Sequence, residues 1–214
     1  MLAVAESYYS ELFSRRACDP AAEAYLLDCI SARLGGEEAW SMEADVTLEE
    51  VREALLSLRD GRAPGHDGIP KEFYAVFWHL LGPDLLEVYR ALLERGALLA
   101  SMRKGVFVLL YKGGDRTELG NWRPFTLLTT NCKVLAKVAT TRVWRVMSGL
   151  VSHDQTCGVP GSSCSWNLIL TDVLDCVKEH KLPLALVSID QEKAFDRVQH
   201  GFLFGVLGRM GFRP

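Results

Sequence analysis

Residues 182–190, LPLALVSID, constrain the fold of this chain more than any other stretch. Leu184, Ala185, Leu186, Val187 and Ile189 make a nearly unbroken apolar run, broken only by Ser188, where a half-exposed strand would alternate apolar with polar. The run predicts a central strand covered on both faces, with Asp190 at its end projecting past the sheet edge. Two roles stay open for that acid: holding Mg²⁺ together with substrate phosphates, or capping the helix-like residues that follow. Phe195 lies five positions on, beyond a tight turn, where its ring could close the floor of the same site or pack in a core.

The residues ahead of this run change texture near Met102. The first third reads as helices. Asp19 is placed as an N-cap with Pro20 at the first helical position, ahead of an apolar stripe through Tyr25, Leu26, Cys29 and Ile30. TLEE at 47–50 is a capping-box pattern, followed by Leu48, Val51, Leu55 and Leu58 at helical spacing, with Gly61 able to end the helix. Two more helices are expected, from about Lys71 to Leu81 and from Pro83 to Arg95.

Beyond Met102, GVFVLLY is dense in β-formers and KGGD is turn material. PFTLL at 124–128 is the expected partner strand, which sets Lys112 and Arg123 near one hairpin-like feature. A helix is expected from Asn131 to about Ser148, with Leu135, Ala139, Val143, Val146 and Leu150 on its apolar arc. WNLILTDVLDCVKEH reads as a further helix. Trp122 is expected to anchor the hairpin in a core.

Charge is segregated. Residues 101–150 hold nine Lys and Arg against Asp115 and Glu118, a local balance of +7, while the rest of the chain carries −10. Such a block is either a solvated face or a surface for polyanions. An Arg fork and a mobile Lys ammonium, as at Arg123 and Lys112, together suit a triphosphate. The six cysteines are scattered with no CxxC pair, which argues against zinc and for reduced thiols in an intracellular compartment, cytoplasm or nucleus. The start, MLAVAESYYS, has no basic leader pattern, and no window approaches the ~20 apolar residues of a membrane span.

Four blocks, in order, resemble the reverse transcriptase domain of LINE-type (non-LTR) retrotransposons of the L1 and Tx1 kind. They are GRAPGHDGIPKEFY (61–74), VFVLLYKGGDRTELGNWRPFTLL (106–128), DQTCGVPGSSCSWNLIL (154–170) and LALVSIDQEKAFDRVQHGFLFGVLGRMGF (184–212). The resemblance implies an α+β fold: a helical connector over 1–45, a fingers-like region over 46–180, mostly helical with a few short strands, and the start of the palm over 181–214. It also implies residue roles. Asp190 matches the first palm acid, which binds both catalytic Mg²⁺ ions, and the main chain of Ile189 and Gln191 lies in the same turn. Phe195 matches the aromatic residue that excludes a ribose 2′-hydroxyl. Lys112 and Arg123 match residues that contact the incoming triphosphate, while Arg116, Lys133 and Lys137 are candidate nucleic-acid contacts. The reaction implied is two-metal nucleotidyl transfer on an RNA template and a DNA primer: one ion activates the primer 3′-oxygen and the other stabilises the leaving pyrophosphate.

The chain departs from the family pattern in ways that bear on this. The family's second pair of metal acids, in an Ala-Asp-Asp turn, has no counterpart in the 214 residues. Gly113 stands where a second basic residue is usual, RPFT replaces Arg-Pro-Ile-Ser, and Ser162 stands where an Arg normally follows the glycine. The expectation is a reverse transcriptase fragment, truncated after the first palm motif and catalytically incomplete alone. The alternative is a non-catalytic nucleic-acid-binding module that keeps the basic surface. A phosphatase or receiver-like domain using Asp190 is a third, disfavoured reading. Either of the first two readings leaves apolar surface uncovered around Leu184–Ile189 and Phe202–Leu207.

Overall fold

A computed structural model describes residues 2–14, 17–152, 154–155, 158–159 and 165–213. The chain divides into two compact units, Glu43–Val143 and the pairing of Met1–Met42 with Trp144–Pro214.

In the first unit, helix α4 (Leu48–Ser57) starts as its sequence demands. The Thr47 hydroxyl accepts the Glu50 N–H at 3.2 Å, and Glu50 Oε2 accepts the Thr47 N–H at 3.0 Å. Val51, Ala54 and Leu55 then face the core, while Leu48 stays 39% exposed. The helix stops at Ser57, ahead of Gly61. Its last carbonyls are capped from a distance, because Lys71 Nζ donates to Leu58 O at 2.8 Å and Leu56 O at 3.2 Å.

Lys71 opens α5 (Lys71–Val76), which is followed by α6 (Trp78–Arg95). The break between them falls at Phe77 and not at Pro83, as the sequence reading had it. Pro83 lies in the second turn of α6, where its missing N–H costs one bond, and the helix continues through it. Gly82, just before it, lies so close to the Trp78 ring that a Cβ there would meet it at 2.9 Å.

Strands β1 (Val106–Tyr111) and β2 (Trp122–Leu127) pair antiparallel, with Val106 opposite Leu127 and Tyr111 opposite Trp122. Helix α7 (Thr130–Leu150) follows and crosses the division between the units. Its buried stripe is Val134, Val138, Arg142, Val146 and Leu150, with Cys132 beside it. That stripe is rotated from the expected arc. Leu135 and Val143 are half-buried and Ala139 is exposed, because the cationic Arg142 occupies an inward position that apolar periodicity alone would not assign to it.

The core of this unit joins Val46, Val51, Leu55, Tyr74, Tyr89, Leu92, Met102, Val134 and Val138. Tyr89 is wholly buried, its hydroxyl donates to Asn131 O at 2.8 Å, and burial raises its phenol above the usual range. The APGHDGIP stretch is a loop, as expected, and α7 holds it. Lys133 Nζ donates to Ala63 O at 2.9 Å, and Thr130 Oγ1 donates to Ile69 O at 2.7 Å.

The second unit contains α1 (Leu2–Leu12), α2 (Pro20–Asp28), α3 (Gly36–Glu43), α8 (Ser165–Glu179) and α9 (His200–Arg209). Asp19 caps α2 by accepting the Ala21 N–H at 2.9 Å, with Pro20 as the first helical residue. The stripe expected along α2 does not form. Tyr25 is 70% and Leu26 53% exposed, and Cys29 already lies past the helix end. Contact with α9 runs instead through Leu27, which meets Gly205, and through Asp28, which pairs with Arg209 at 2.6 Å.

The largest correction concerns 182–190, which forms no strand. A strand in the middle of a sheet needs neighbours for its N–H and C=O groups. Among the described residues the only sheet is the β1–β2 pair. Leu184, Leu186, Val187 and Ile189 are therefore 51–90% exposed, and Leu203 and Phe204 of α9 are 41% and 68% exposed. The uncovered apolar surface expected in both places is present.

Candidate nucleotide and nucleic-acid interface

The β1–β2 hairpin carries the first group of candidate residues. The ladder extends one step beyond the strands, because the Lys112 N–H donates to Asn121 O at 2.8 Å. Arg123 lies opposite Leu110 in the register, and strand alternation puts Lys112, two residues beyond Leu110, on the same side. Both cations are exposed, and neither forms an ion pair among the described residues.

The loop between them is braced from within. Asp115 Oδ1 accepts the N–H of Thr117 at 2.8 Å and its hydroxyl at 2.7 Å, and these two bonds hold its carboxyl below the usual range. Asn121 Nδ2 donates to Asp115 O at 2.9 Å, and Trp122 Nε1 donates to Arg116 O at 3.0 Å. The Tyr111 hydroxyl donates to Gly114 O. Gly114 has φ +95°, and a Cβ there would come within 2.7 Å of Asn121 Nδ2, so glycine suits both the backbone and the space.

On the other face the Tyr111 and Trp122 rings lie 5.3 Å apart, and the Arg116 guanidinium stands 5.0 Å from the Tyr111 ring centre. Trp122 thus braces the loop and, only half-buried, does not anchor a core. Of the other basic candidates, Lys133 is committed to the Ala63 carbonyl, and Lys137 is half-buried on α7.

The second group lies in the other compact unit. Asp190 is exposed, Ile189 is 90% exposed, and Gln191 is exposed beside them. Asp190 does not cap the residues that follow it. The short helical turn Ala194–Arg197 begins after Lys193, and α9 begins after Gln199. The capping role left open for Asp190 is thereby removed. Phe195 sits in that short turn with its ring 98% exposed, so it closes no floor. Ser162 lies outside the described residues.

Among the described residues, no three His, Cys, Asp or Glu side chains come together as a metal site. One carboxylate at Asp190 does not make a two-ion centre, which draws acids from two places. The described residues alone do not supply the donor set for a pair of ions. No helix among the described residues is long and apolar enough to cross a membrane.

Periodicity missed three features. Arg142 reads as one more cation in a basic block, yet it is buried. The Tyr111–Trp122–Arg116 stack follows only once the hairpin register is known. The left-handed backbone of Lys193, φ +51°, carries no sequence signal, since lysine has no preference for it.

A hairpin presenting two exposed cations, without ion pairs among the described residues, from a braced glycine loop stands on a mainly helical α+β scaffold. Residues 110–214 match the family described as reverse transcriptase (RNA-dependent DNA polymerase), and they belong to it as a domain segment of the non-LTR, LINE type. Over 211 residues, 98% of this chain, the sequence is 37% identical to the transposon TX1 uncharacterized 149 kDa protein of Xenopus laevis, of which it spans 16%. Over 166 residues, 78% of this chain, it is 24% identical to the retrovirus-related Pol polyprotein from type-1 retrotransposable element R2 of Popillia japonica, of which it spans 22%.

Proposed function

We propose that this chain supplies the fingers and the opening of the palm of an RNA-directed DNA polymerase of a non-LTR retrotransposon. In this reading residues 1–45 form a connector, 46–180 the fingers and 181–214 the start of the palm. The observation that carries it is the hairpin: Lys112 and Arg123, both within the family match, stand exposed at one end of the ladder and without ion pairs among the described residues. They grip the triphosphate of an incoming nucleotide, with Arg116 and Lys137 on the nucleic acid and Lys133 held in reserve by the Ala63 carbonyl. Asp190 is the first metal acid, with Ile189 and Gln191 beside it, and Phe195 selects the sugar. Mg²⁺, the RNA template and the DNA primer are the implied cofactor and partners. The second acidic motif must come from residues other than these 214.

Primer extension on an RNA template with Mg²⁺ and dNTPs tests this reading. The 214-residue chain alone gives no extension, whereas a longer polypeptide that adds the second acidic motif extends the primer and loses that activity on Asp190→Ala. Robust extension by the 214 residues alone would overturn the incomplete-site reading.

A second reading, a non-catalytic nucleic-acid-binding module, rests on the same exposed cations. It predicts that affinity for an RNA–DNA duplex falls linearly on a log–log plot against salt, the slope shrinking by about one for each of Lys112 and Arg123 replaced by Ala. Salt-insensitive binding would remove it.

A further inference from the structure

Lys193 has φ +51°, a left-handed backbone that a residue with a Cβ adopts only at a cost. It lies three residues after Asp190 and two before Phe195. Its carbonyl accepts the N–H groups of Asp196 at 3.0 Å and Arg197 at 3.1 Å, so this one residue closes the turn that carries Phe195 and begins just after Asp190 and Gln191. Its side chain reaches back to helix α1: the ammonium donates to the Tyr8 hydroxyl and stands 4.6 Å from the Tyr8 ring centre.

Tyr8 is itself held in place. The Tyr9 ring meets it edge-on at 5.1 Å, and Phe13 stacks on Tyr9 at 6.0 Å. Elsewhere along this boundary packing is open. A cavity of about 430 Å³ is lined by Leu12, Phe13 and Ser14 on one side and by residues 196–201 on the other. Within the turn Glu192 also pairs with Arg197 at 3.0 Å, but its carboxylate is 72% exposed, and such pairs hold weakly.

We propose that Tyr8 is a positioning residue: helix α1 pins Lys193 in its left-handed conformation and so sets the turn that carries Phe195 and follows Asp190. The function of this pin rests on the reading of those two residues as the metal and sugar positions. Its existence does not.

A double-mutant cycle read by amide hydrogen exchange tests the pin. In the full chain, Tyr8→Ala accelerates exchange of the Asp196 and Arg197 N–H groups about tenfold. Glycine takes a positive φ without the Cβ penalty, so in a Lys193→Gly background the turn no longer depends on Tyr8, and Tyr8→Ala accelerates the same amides less than about twofold. A merely structural Tyr8, packing α1 in general, would give equal acceleration in both backgrounds, and that result overturns the proposal. No acceleration in either background overturns it as well. Neither measurement uses polymerase activity. Loss of the coupling therefore removes the pin and leaves Asp190 to the extension assay, whose failure in turn would leave the coupling untouched.

Discussion

Arg142 grips Glu50 at two points: Nε donates to Oε1 at 2.8 Å and Nη2 to Oε2 at 2.7 Å. The same guanidinium donates to the carbonyls of Ala44 and Asp45, so one side chain of α7 fixes both the approach to α4 and its first turn. Glu50 closes the capping box with Thr47 on its other side. The pair is well satisfied, and its worth is felt when one member is removed.

Arg142→Leu should therefore cost about 3 kcal/mol in urea unfolding, since it strands a half-buried carboxylate and two carbonyls. Adding Glu50→Gln, which removes the stranded charge and keeps a capping partner for Thr47, should recover about 1 kcal/mol of that loss. A double variant less stable than Arg142→Leu alone would contradict this account.

Acid should act through the same contact. The Arg142 hydrogen bond, with help from the Thr47 N–H, lowers the Glu50 carboxyl from an ordinary 4.5 to about 2. Between those values the unfolded chain binds the proton and the folded chain does not, so stability rises with pH across the window. The contribution, at most about 3 kcal/mol, is complete above pH 4.5 and is lost as pH falls toward 2. Urea midpoints measured from pH 6 down to pH 2 should fall along that window in the native chain and much less in Glu50→Gln.

The helical caps and the hairpin were legible in the sequence because they depend on contacts a few residues apart: Asp19 with Ala21, Thr47 with Glu50, strand with adjacent strand. The helix α7 face was less so. Its inward stripe depends on Arg142 finding Glu50, 92 positions away, and a buried cation looks in sequence like an exposed one. The apolar run 184–189 was read as a strand from its composition, but backbone pairing needs a partner, and composition cannot supply one. The cations at Lys112 and Arg123 were legible as a pair by hairpin logic. The stack of Tyr111, Trp122 and Arg116 that holds their loop was not, since it depends on the register.

The APGHDGIP loop offers a steric test. A Cβ on Gly65 would lie 2.5 Å from Thr129 N and 2.6 Å from Thr129 Cα, both backbone atoms at the approach to α7. Neither can yield without moving α7, so Gly65→Ala should destabilise by about 2 kcal/mol or more. Gly36 opens α3 with nothing within 4 Å of its missing Cβ, and Gly36→Ala should be neutral or stabilising by up to about 1 kcal/mol. Thermal midpoints of the two variants should separate in that order.

Loop geometry and loop charge can also be told apart at the candidate interface. Asn121 carries no charge, yet its side-chain amide donates to the Asp115 carbonyl, while its main-chain carbonyl accepts the Lys112 N–H. Asn121→Ala removes the side-chain brace on the Asp115 carbonyl and leaves every cation in the chain. Its affinity for an RNA–DNA duplex should fall by about threefold to tenfold, because the cations are no longer held in one arrangement. The dependence of log affinity on log salt should stay parallel to that of the native chain, since the number of counterions displaced is set by the number of cations. Lys112→Ala should do the opposite, lowering the slope by about one. Fluorescence anisotropy titrations at several salt concentrations distinguish the two. If Asn121→Ala flattens the slope as Lys112→Ala does, the loop's bracing does not act by placing the cations.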